Sequence, residues 1–123
     1  MVKGGTVAPF TTFAGLYERA TGQAPFDLDP RWAAAKDKLN PDTVFDISTT
    51  NDIIGGNSGS PLINAKGEVI GAVFDGNIHS LGGDYGYDGA INRSVAVSTA
   101  AVTEALRKVY GAQALADELT AEK

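Results

Sequence analysis

One serine in this sequence lies in a setting that suits nucleophilic chemistry. Ser58 stands in the run Gly55-Gly56-Asn57-Ser58-Gly59-Ser60-Pro61. A serine hydroxyl is a weak nucleophile at neutral pH, so it needs a base that accepts its proton and donors aimed at the oxyanion. A glycine two positions earlier, here Gly56, allows the backbone to fold so that two N–H groups point at one spot. The run therefore indicates a candidate nucleophile, Ser58, with oxyanion donors from the backbones of Gly56 and Ser58.

The same run has two other interpretations. Glycine-rich runs are commonest in plain loops, and composition alone favours a flexible turn. A phosphate-binding loop of the Walker type needs a lysine followed by Ser or Thr, and then a helix. Because Pro61 and a predicted strand follow this run, the phosphate interpretation has little support.

The elements that must position Ser58 are predicted from local patterns. Residues 1–43 are expected to form helices and loops that lead into the rest of the domain, because Thr12 and Asp29-Pro30 are helix-start signals. From residue 44 to residue 123, β-branched residues and turn signals predict strands and then a terminal helix. The predicted strands cover 44–50 and 91–97, and 61–64 forms a hairpin with 68–75. The predicted helices cover 13–20, 30–38 and 99–110, and a further one continues through Leu119. The helix over 99–110 is expected to carry Val102, Leu106, Val109 and Tyr110 on one face.

Composition and charge exclude several functional classes. The chain has 43% hydrophobic and 20% charged residues, which is typical of a globular domain. Its basic residues are scattered and its net charge is -5, so nucleic-acid binding is not expected. No apolar run approaches the roughly 20 residues that span a membrane, and residues 1–5 lack the apolar segment of a signal peptide. Without cysteines or metal-ligand spacing, no metal or cofactor is expected.

The surroundings of Ser58 resemble a known class of serine peptidases. The motif of residues 57–61, followed by a hairpin, a glycine-rich loop, a strand and a terminal helix, resembles the second barrel of a chymotrypsin-type peptidase. Residues 49–53 and 71–77 are similar to the bacterial dipeptidyl-peptidase family of types 7 and 11, which are exported serine exopeptidases that release dipeptides from free N-termini. Similarity at 4–26 and 93–97 extends the resemblance over nearly the whole chain, which resembles the last part of much longer proteins.

The resemblance implies a mainly β fold and a set of site residues. The fold is expected to be the six-stranded second barrel of a trypsin-like domain, flanked by an N-terminal helical segment and a C-terminal helix. Ser58 matches the nucleophile, and Gly56 matches an oxyanion-hole residue. Asp75 matches the aspartate that holds the free α-amino group of the substrate. Gly76 matches the position that sets preference at the residue before the cut, and Phe74 is expected to line the site.

Three of these residues also have ordinary structural interpretations. Asp75 can begin a loop and bond the backbone amides of Gly76 or Asn77. Gly76 can be a turn glycine, and Phe74 can belong to the core. If Gly76 does act in specificity, a glycine leaves space and carries no charge, which favours an apolar or aromatic residue before the cut.

His79 is the sole histidine, but it follows Ser58 and stands in a glycine-rich loop. It is interpreted as an exposed loop residue rather than the base, because the resemblance implies that the triad histidine and aspartate come from a preceding part of the parent protein. We expect that parent to be a periplasmic or cell-surface homodimer acting on peptides with free N-termini, and this chain alone to turn over little substrate. The alternatives are a non-catalytic binding or structural module of the same fold and a trypsin-like endopeptidase.

Overall fold

An antiparallel sheet organises the chain in the computed structural model, which describes residues 2–3 and 6–121. Within these residues the strands are β1 (Val2–Lys3), β2 (Thr6–Val7), β3 (Phe10–Thr12), β4 (Val44–Thr49), β5 (Pro61–Ile63), β6 (Val69–Gly76) and β7 (Ser94–Ser98). β1 pairs with β2, and the other five form one sheet in the order β3-β4-β7-β6-β5 with all neighbours antiparallel. β3 and β5 are the ends of this sheet, and no pairing among the described residues closes it into a barrel. Gly4 and Gly5, which contribute to the family resemblance, lie outside the described residues.

The α-helices lie between β3 and β4 and after β7 in the sequence. They are α1 (Phe13–Arg19), α2 (Pro30–Ala35), α3 (Thr99–Lys108) and α4 (Gln113–Thr120), with short 3₁₀ helices over Lys36–Lys38 and Ile78–Gly82. Thr12, Asp29 and Ser98 each accept a hydrogen bond from a backbone N–H in the first turn of the helix that follows. Side-chain capping of this kind satisfies N–H groups that have no partner within the helix. The predicted helix starts, the hairpin of β5 with β6 and the mainly antiparallel β architecture are therefore confirmed.

Two hydrophobic clusters hold the sheet and helices together. The first surrounds Phe13, which is fully buried and packs its ring 5.7 Å from that of Trp32 and 5.5 Å from that of Phe45, measured between centroids. The second contains Leu62, Val73 and Ala96, which come from β5, β6 and β7. This second cluster fixes the three strands that carry the candidate site.

Two predictions of local structure are wrong. Residues 1–43, predicted as helices and loops, also contain β3, which pairs with β4. Three residues are too few for an alternating pattern, so β3 depends on its partner strand rather than on its own sequence. The strand predicted over 91–97 begins only at Ser94. The chain turns before it, because the Asp88 carbonyl accepts hydrogen bonds from the N–H groups three and four residues further on.

The apolar face predicted for the C-terminal helix is partly wrong. α3 buries Ala101 and Ala105, whereas Val102 is 37% exposed and Tyr110 is 48% exposed. Val109 packs against the first cluster, as predicted. Small side chains at a contact allow a helix to approach its neighbours closely. This explains why α3 packs through its alanines rather than through its larger residues.

Glu104 links α3 to the loop before β4. Its side chain is 12% exposed, and its carboxylate accepts hydrogen bonds from Asn40 N at 2.7 Å, Thr43 Oγ1 at 2.5 Å and Lys108 Nζ at 2.8 Å. Burial raises the pKa of this carboxyl, but the hydrogen bonds from Lys108, Thr43 and Asn40 together lower it by more. The net result is a pKa below the ordinary value, so the folded state favours the charged form.

We predict that Glu104 makes the stability of the fold depend on acidic pH. Because its folded-state pKa is depressed, its contribution is present above the ordinary value of 4.5 and is lost as the pH falls through the lower folded value. Glu104→Gln should lower the free energy of unfolding by about 1–2 kcal/mol at pH 7 and by much less at an acidic pH that protonates the carboxyl in the folded protein, measured by urea unfolding. Glu118→Gln, at an exposed position of α4, is the control. An equal loss for Glu104→Gln at both pH values would contradict the prediction.

Candidate active site

Ser58 lies on an exposed turn that is fixed against β6. Gly59 N donates a hydrogen bond to Val73 O at 2.7 Å, and Val73 N donates to Ser60 O at 2.9 Å. These two bonds continue the antiparallel pairing of β5 with β6 into the turn. As a result, Ser58 Oγ lies beside β6 and donates to Phe74 O at 3.4 Å. The position of Ser58 in a tight turn agrees with the sequence pattern.

The backbone before Ser58 depends on Gly56 and Asn57. Gly56 has a φ of 99°, in a region that residues with a side chain rarely adopt. Asn57 closes the turn, because its Oδ1 accepts a hydrogen bond from Ile54 N at 2.7 Å and its N donates to Ile54 O at 3.2 Å. The N–H groups of Gly56 and Ser58 donate no hydrogen bond to any of the described residues. Both therefore remain available to a ligand.

A β-bulge in β6 presents Phe74 and Asp75 to solvent. Val73 and Asp75 pair with adjacent residues of β7, so Phe74 is an extra residue on β6. A bulge of this kind redirects side chains and is frequent beside active sites. Phe74 is 49% exposed and so does not belong to the core, and Asp75 is exposed as well.

Asp75 has one carboxylate oxygen engaged by the backbone. Its Oδ1 accepts a hydrogen bond from Gly76 N at 2.8 Å, whereas its Oδ2 accepts none from the described residues. The hydrogen bond from the Gly76 amide, which the structural interpretation of Asp75 predicts, is thus present. Asp75 nevertheless lies within β6 rather than at the start of a loop. The second oxygen is left for another partner.

Gly76 is covered by a neighbouring side chain. A Cβ at this position would overlap Ser80 Oγ and come within 3.3 Å of Ile53 Cδ1. A larger residue at position 76 would therefore require the Ser80 side chain to move. The expectation that Gly76 leaves open space is wrong, because the Ser80 hydroxyl fills that space.

One groove of about 290 Å³ brings together all the site residues singled out in the sequence. Its lining residues are Gly56, Ser58, Phe74, Asp75 and Gly76 together with Ile53, Ile54, Gly55, Asn57, Val73, Ser80, Leu81 and Asp84. Two of these side chains are carboxylates, and none of them is a lysine, arginine or histidine. The two carboxylates therefore favour a ligand that carries a positive charge.

Some residues of the groove were not identified from the sequence. Ile54, Ser80 and Leu81 line it, but Ile54 lies in a loop and the other two in a short 3₁₀ helix, neither of which a periodic pattern predicts. The role of Asn57 could have been predicted from the sequence, since asparagine side chains in turns often form hydrogen bonds with nearby backbone groups. Its role in closing the turn became visible only with the bond to Ile54.

His79 does not line the groove. It is exposed and lies in the 3₁₀ helix Ile78–Gly82, which agrees with its interpretation as a loop residue. Among residues 2–3 and 6–121, no three His, Cys, Asp or Glu side chains come close enough together to hold a metal ion. No helix in the same part of the chain is both long and apolar enough for a membrane crossing.

The family of the chain follows from a match over nearly its whole length. Residues 2–121 match the family model Peptidase S46. The chain belongs to the peptidase S46 family. This confirms the resemblance inferred from the motif around Ser58 and from the residues on either side of it.

Similar S46 proteins are dipeptidyl-peptidases by name. Dipeptidyl-peptidase 7 of Capnocytophaga gingivalis is 37% identical over 120 residues, which are 90% of this chain and 17% of that protein. The Asp/Glu-specific dipeptidyl-peptidase of Porphyromonas gingivalis is 36% identical over 118 residues, which are 89% of this chain and 16% of that protein. The chain thus spans less than a fifth of the length of these relatives.

A solved structure shares the fold. The crystal structure of Porphyromonas endodontalis DPP11 in complex with the dipeptide Arg-Asp matches with a TM-score of 0.85 and 28% sequence identity. The match covers 94% of this S46 chain and 18% of that protein. The five-stranded antiparallel sheet and its helices are therefore similar to one part of the DPP11 structure.

We predict that Gly56 and Gly55 respond differently to substitution by alanine. A Cβ meets nothing within 4 Å at either position, so the two variants differ only in backbone conformation. Only Gly56 has a positive φ, and holding alanine there costs about 1–2 kcal/mol. Gly56→Ala should lower the free energy of unfolding by that amount, and Gly55→Ala should leave it nearly unchanged. Equal losses in the two variants would show that the turn does not have this conformation.

Proposed function

We propose that the full-length protein containing this S46 chain is a serine-type dipeptidyl-peptidase. It would release dipeptides from the free N-termini of peptides through an acyl-enzyme on Ser58. The observation that carries this proposal is the single groove in which the Ser58 hydroxyl, the free N–H groups of Gly56 and Ser58, and the Asp75 carboxylate meet. The names of the relatives support the same activity, although the chain covers less than a fifth of their length.

The chemistry assigned to this chain is nucleophilic attack and oxyanion stabilisation. Ser58 Oγ attacks the scissile carbonyl, and the carbonyl oxygen gains negative charge as the tetrahedral intermediate forms. The N–H groups of Gly56 and Ser58 donate to that oxygen, and donors already in position can contribute about 3 kcal/mol each. The departing amine leaves an ester on Ser58, which water then hydrolyses.

We infer that the base comes from outside this chain. Proton transfer from Ser58 requires a group within hydrogen-bond reach, and His79 does not line the groove. The resemblance assigns the triad histidine and aspartate to a preceding part of the parent protein. Without them, oxyanion donors and binding alone leave only weak catalysis, so we expect the isolated chain to be nearly inactive.

The free amino group is assigned to Asp75. This residue directly follows Phe74, whose carbonyl accepts the Ser58 hydrogen bond, and two extended residues span about 7 Å. Because Ser58 and Asp75 also line the same groove, we propose that one dipeptide extends from Ser58 to the Asp75 carboxylate. A carboxylate with an unengaged oxygen selects a charged α-amino group over a blocked one, which makes the enzyme an exopeptidase.

An apolar or aromatic residue is the proposed preference before the cut. Ile54 and Leu81 are 62% and 78% exposed on the groove and offer apolar surface. An acidic side chain would meet the carboxylates of Asp75 and Asp84 and no lining cation. Four proteins similar to this chain are named Asp/Glu-specific dipeptidyl-peptidases, so the specificity proposed here is expected to differ from theirs.

The finer features of the parent protein are proposals from the family resemblance. We expect the open sheet to be part of the second barrel of a trypsin-like domain, completed by other parts of the protein. A homodimer in the periplasm or at the cell surface is likewise expected. Both expectations rest on the motif around Ser58 and on the family.

Chemical labelling tests the role of Ser58. We predict that an organophosphonate probe labels the full-length protein at Ser58 and that Ser58→Ala abolishes the labelling, as detected by intact-mass spectrometry. Ser60→Ala, two residues away, is the matched control and should keep the label. If the protein and its Ser58→Ala variant are labelled equally, Ser58 is not the nucleophile. If neither is labelled and no peptide is cut, the non-catalytic alternative is correct.

Charge removal tests the role of Asp75. Asp75→Asn keeps an oxygen that can accept from Gly76 N, so the local backbone should persist while the charge is lost. We predict a fall of at least about tenfold in kcat/KM on dipeptidyl amides with a free N-terminus, since a charge-assisted hydrogen bond contributes about 1.5–3 kcal/mol. N-acetylated versions of the same substrates are the control and should be cut poorly. Equal cleavage of free and acetylated substrates would favour an endopeptidase.

A further inference from the structure

The Ser80 side chain occupies the space that any side chain at position 76 would need. A Cβ built on Gly76 would overlap Ser80 Oγ and lie 3.0 Å from Ser80 Cβ. Ile53 Cδ1 lies on the other side of the same point, at 3.3 Å. All three residues line the groove that contains Ser58. The wall beside Gly76 is thus made by Ser80 and Ile53.

Hydrogen bonds hold Ser80 in this place. Its hydroxyl donates to Asn77 O at 2.6 Å, and its N–H bonds both Asn77 O at 2.9 Å and Asn77 Oδ1 at 3.1 Å. Asn77 is anchored in turn, because its N donates to Arg93 O at 2.9 Å and its Nδ2 donates to Ile91 O at 2.7 Å. Ser80 is therefore a fixed part of the wall rather than a freely rotating surface side chain.

We infer that Ser80 is a specificity-determining residue for the substrate side chain that enters the groove beside Gly76. This inference rests on the proposed peptidase function and names the residue that sets the size and polarity of the pocket. Glycine at position 76 alone does not define that pocket, because its missing side chain is replaced by the Ser80 hydroxymethyl group.

The bonding of Ser80 also determines which ligands it accepts. Its hydroxyl proton is committed to the Asn77 carbonyl, so the oxygen presents lone pairs and no donor to the groove. A carboxylate side chain would find an acceptor there, whereas an apolar side chain needs only the available volume. The size of the side chain at position 80 should therefore determine how large an apolar substrate side chain the pocket accepts.

Variants of Ser80 in the full-length protein test this inference. The probes are fluorogenic dipeptidyl amides that differ only in their second residue, alanine or phenylalanine, and the readout is the ratio of their kcat/KM values. Ser80→Gly should raise the phenylalanine-to-alanine ratio about tenfold, and Ser80→Thr should lower it about tenfold, since one carbon in a pocket changes discrimination by this order. Ser80→Thr keeps the hydroxyl that bonds Asn77, so it provides a test even if Ser80→Gly fails to fold.

His79→Gly is the matched control for loosening of the 3₁₀ helix. It places a glycine in the same turn at an exposed position that does not line the groove, and it should leave the ratio unchanged. The inference is wrong if Ser80→Gly and Ser80→Thr change kcat/KM for both substrates by the same factor. It is also wrong if His79→Gly shifts the ratio as much as Ser80→Gly does. In either case the proposed peptidase function is unaffected. If Ser58→Ala cleaves the substrates as fast as the unmodified protein, the proposed function fails, and this inference fails with it.

Discussion

Two backbone hydrogen bonds at Val73 are the constraint on which the candidate site depends. They join Val73 to Gly59 and Ser60 and so hold the glycine-rich turn against β6. Val73 is also buried in the second hydrophobic cluster, which joins β5, β6 and β7. The turn is therefore attached to a well-packed part of the sheet. The bulge at Phe74 begins at the next residue along β6. Ser58 on the turn and the Asp75 carboxylate on the bulge are thereby placed in one groove.

Local sequence signals were sufficient for the parts of the fold that local interactions form. Thr12, Asp29 and Ser98 cap helices through their own side chains, and each of these helix starts was predictable. β3 was not predictable, because its pairing with β4 joins residues more than 30 positions apart. The buried stripe of α3 was also missed, since the helix buries its alanines at 101 and 105 while the more hydrophobic Val102 is exposed.

The candidate site shows the same division. The spacing of Gly56 and Ser58 made them candidates for a nucleophile with backbone donors, but composition alone favoured a flexible turn, and the family resemblance supported the catalytic interpretation. Asp75 and Gly76 were assigned only through the family resemblance, since a strand-end aspartate and a glycine have common structural roles. Ser80 was missed altogether, because its contact with Gly76 depends on how the 3₁₀ helix folds back over β6, and no pattern of residue types encodes that geometry.

A structure of the full-length Ser58→Ala variant with a bound peptide that has a free N-terminus is the most direct test of this account. The account predicts that the scissile carbonyl oxygen lies about 3 Å from the backbone nitrogens of positions 56 and 58. It also predicts that the α-ammonium nitrogen of the peptide lies within about 3 Å of the Asp75 carboxylate. A peptide bound with its amino group away from Asp75, or with its carbonyl turned away from positions 56 and 58, would contradict the assignment of this groove as the active site.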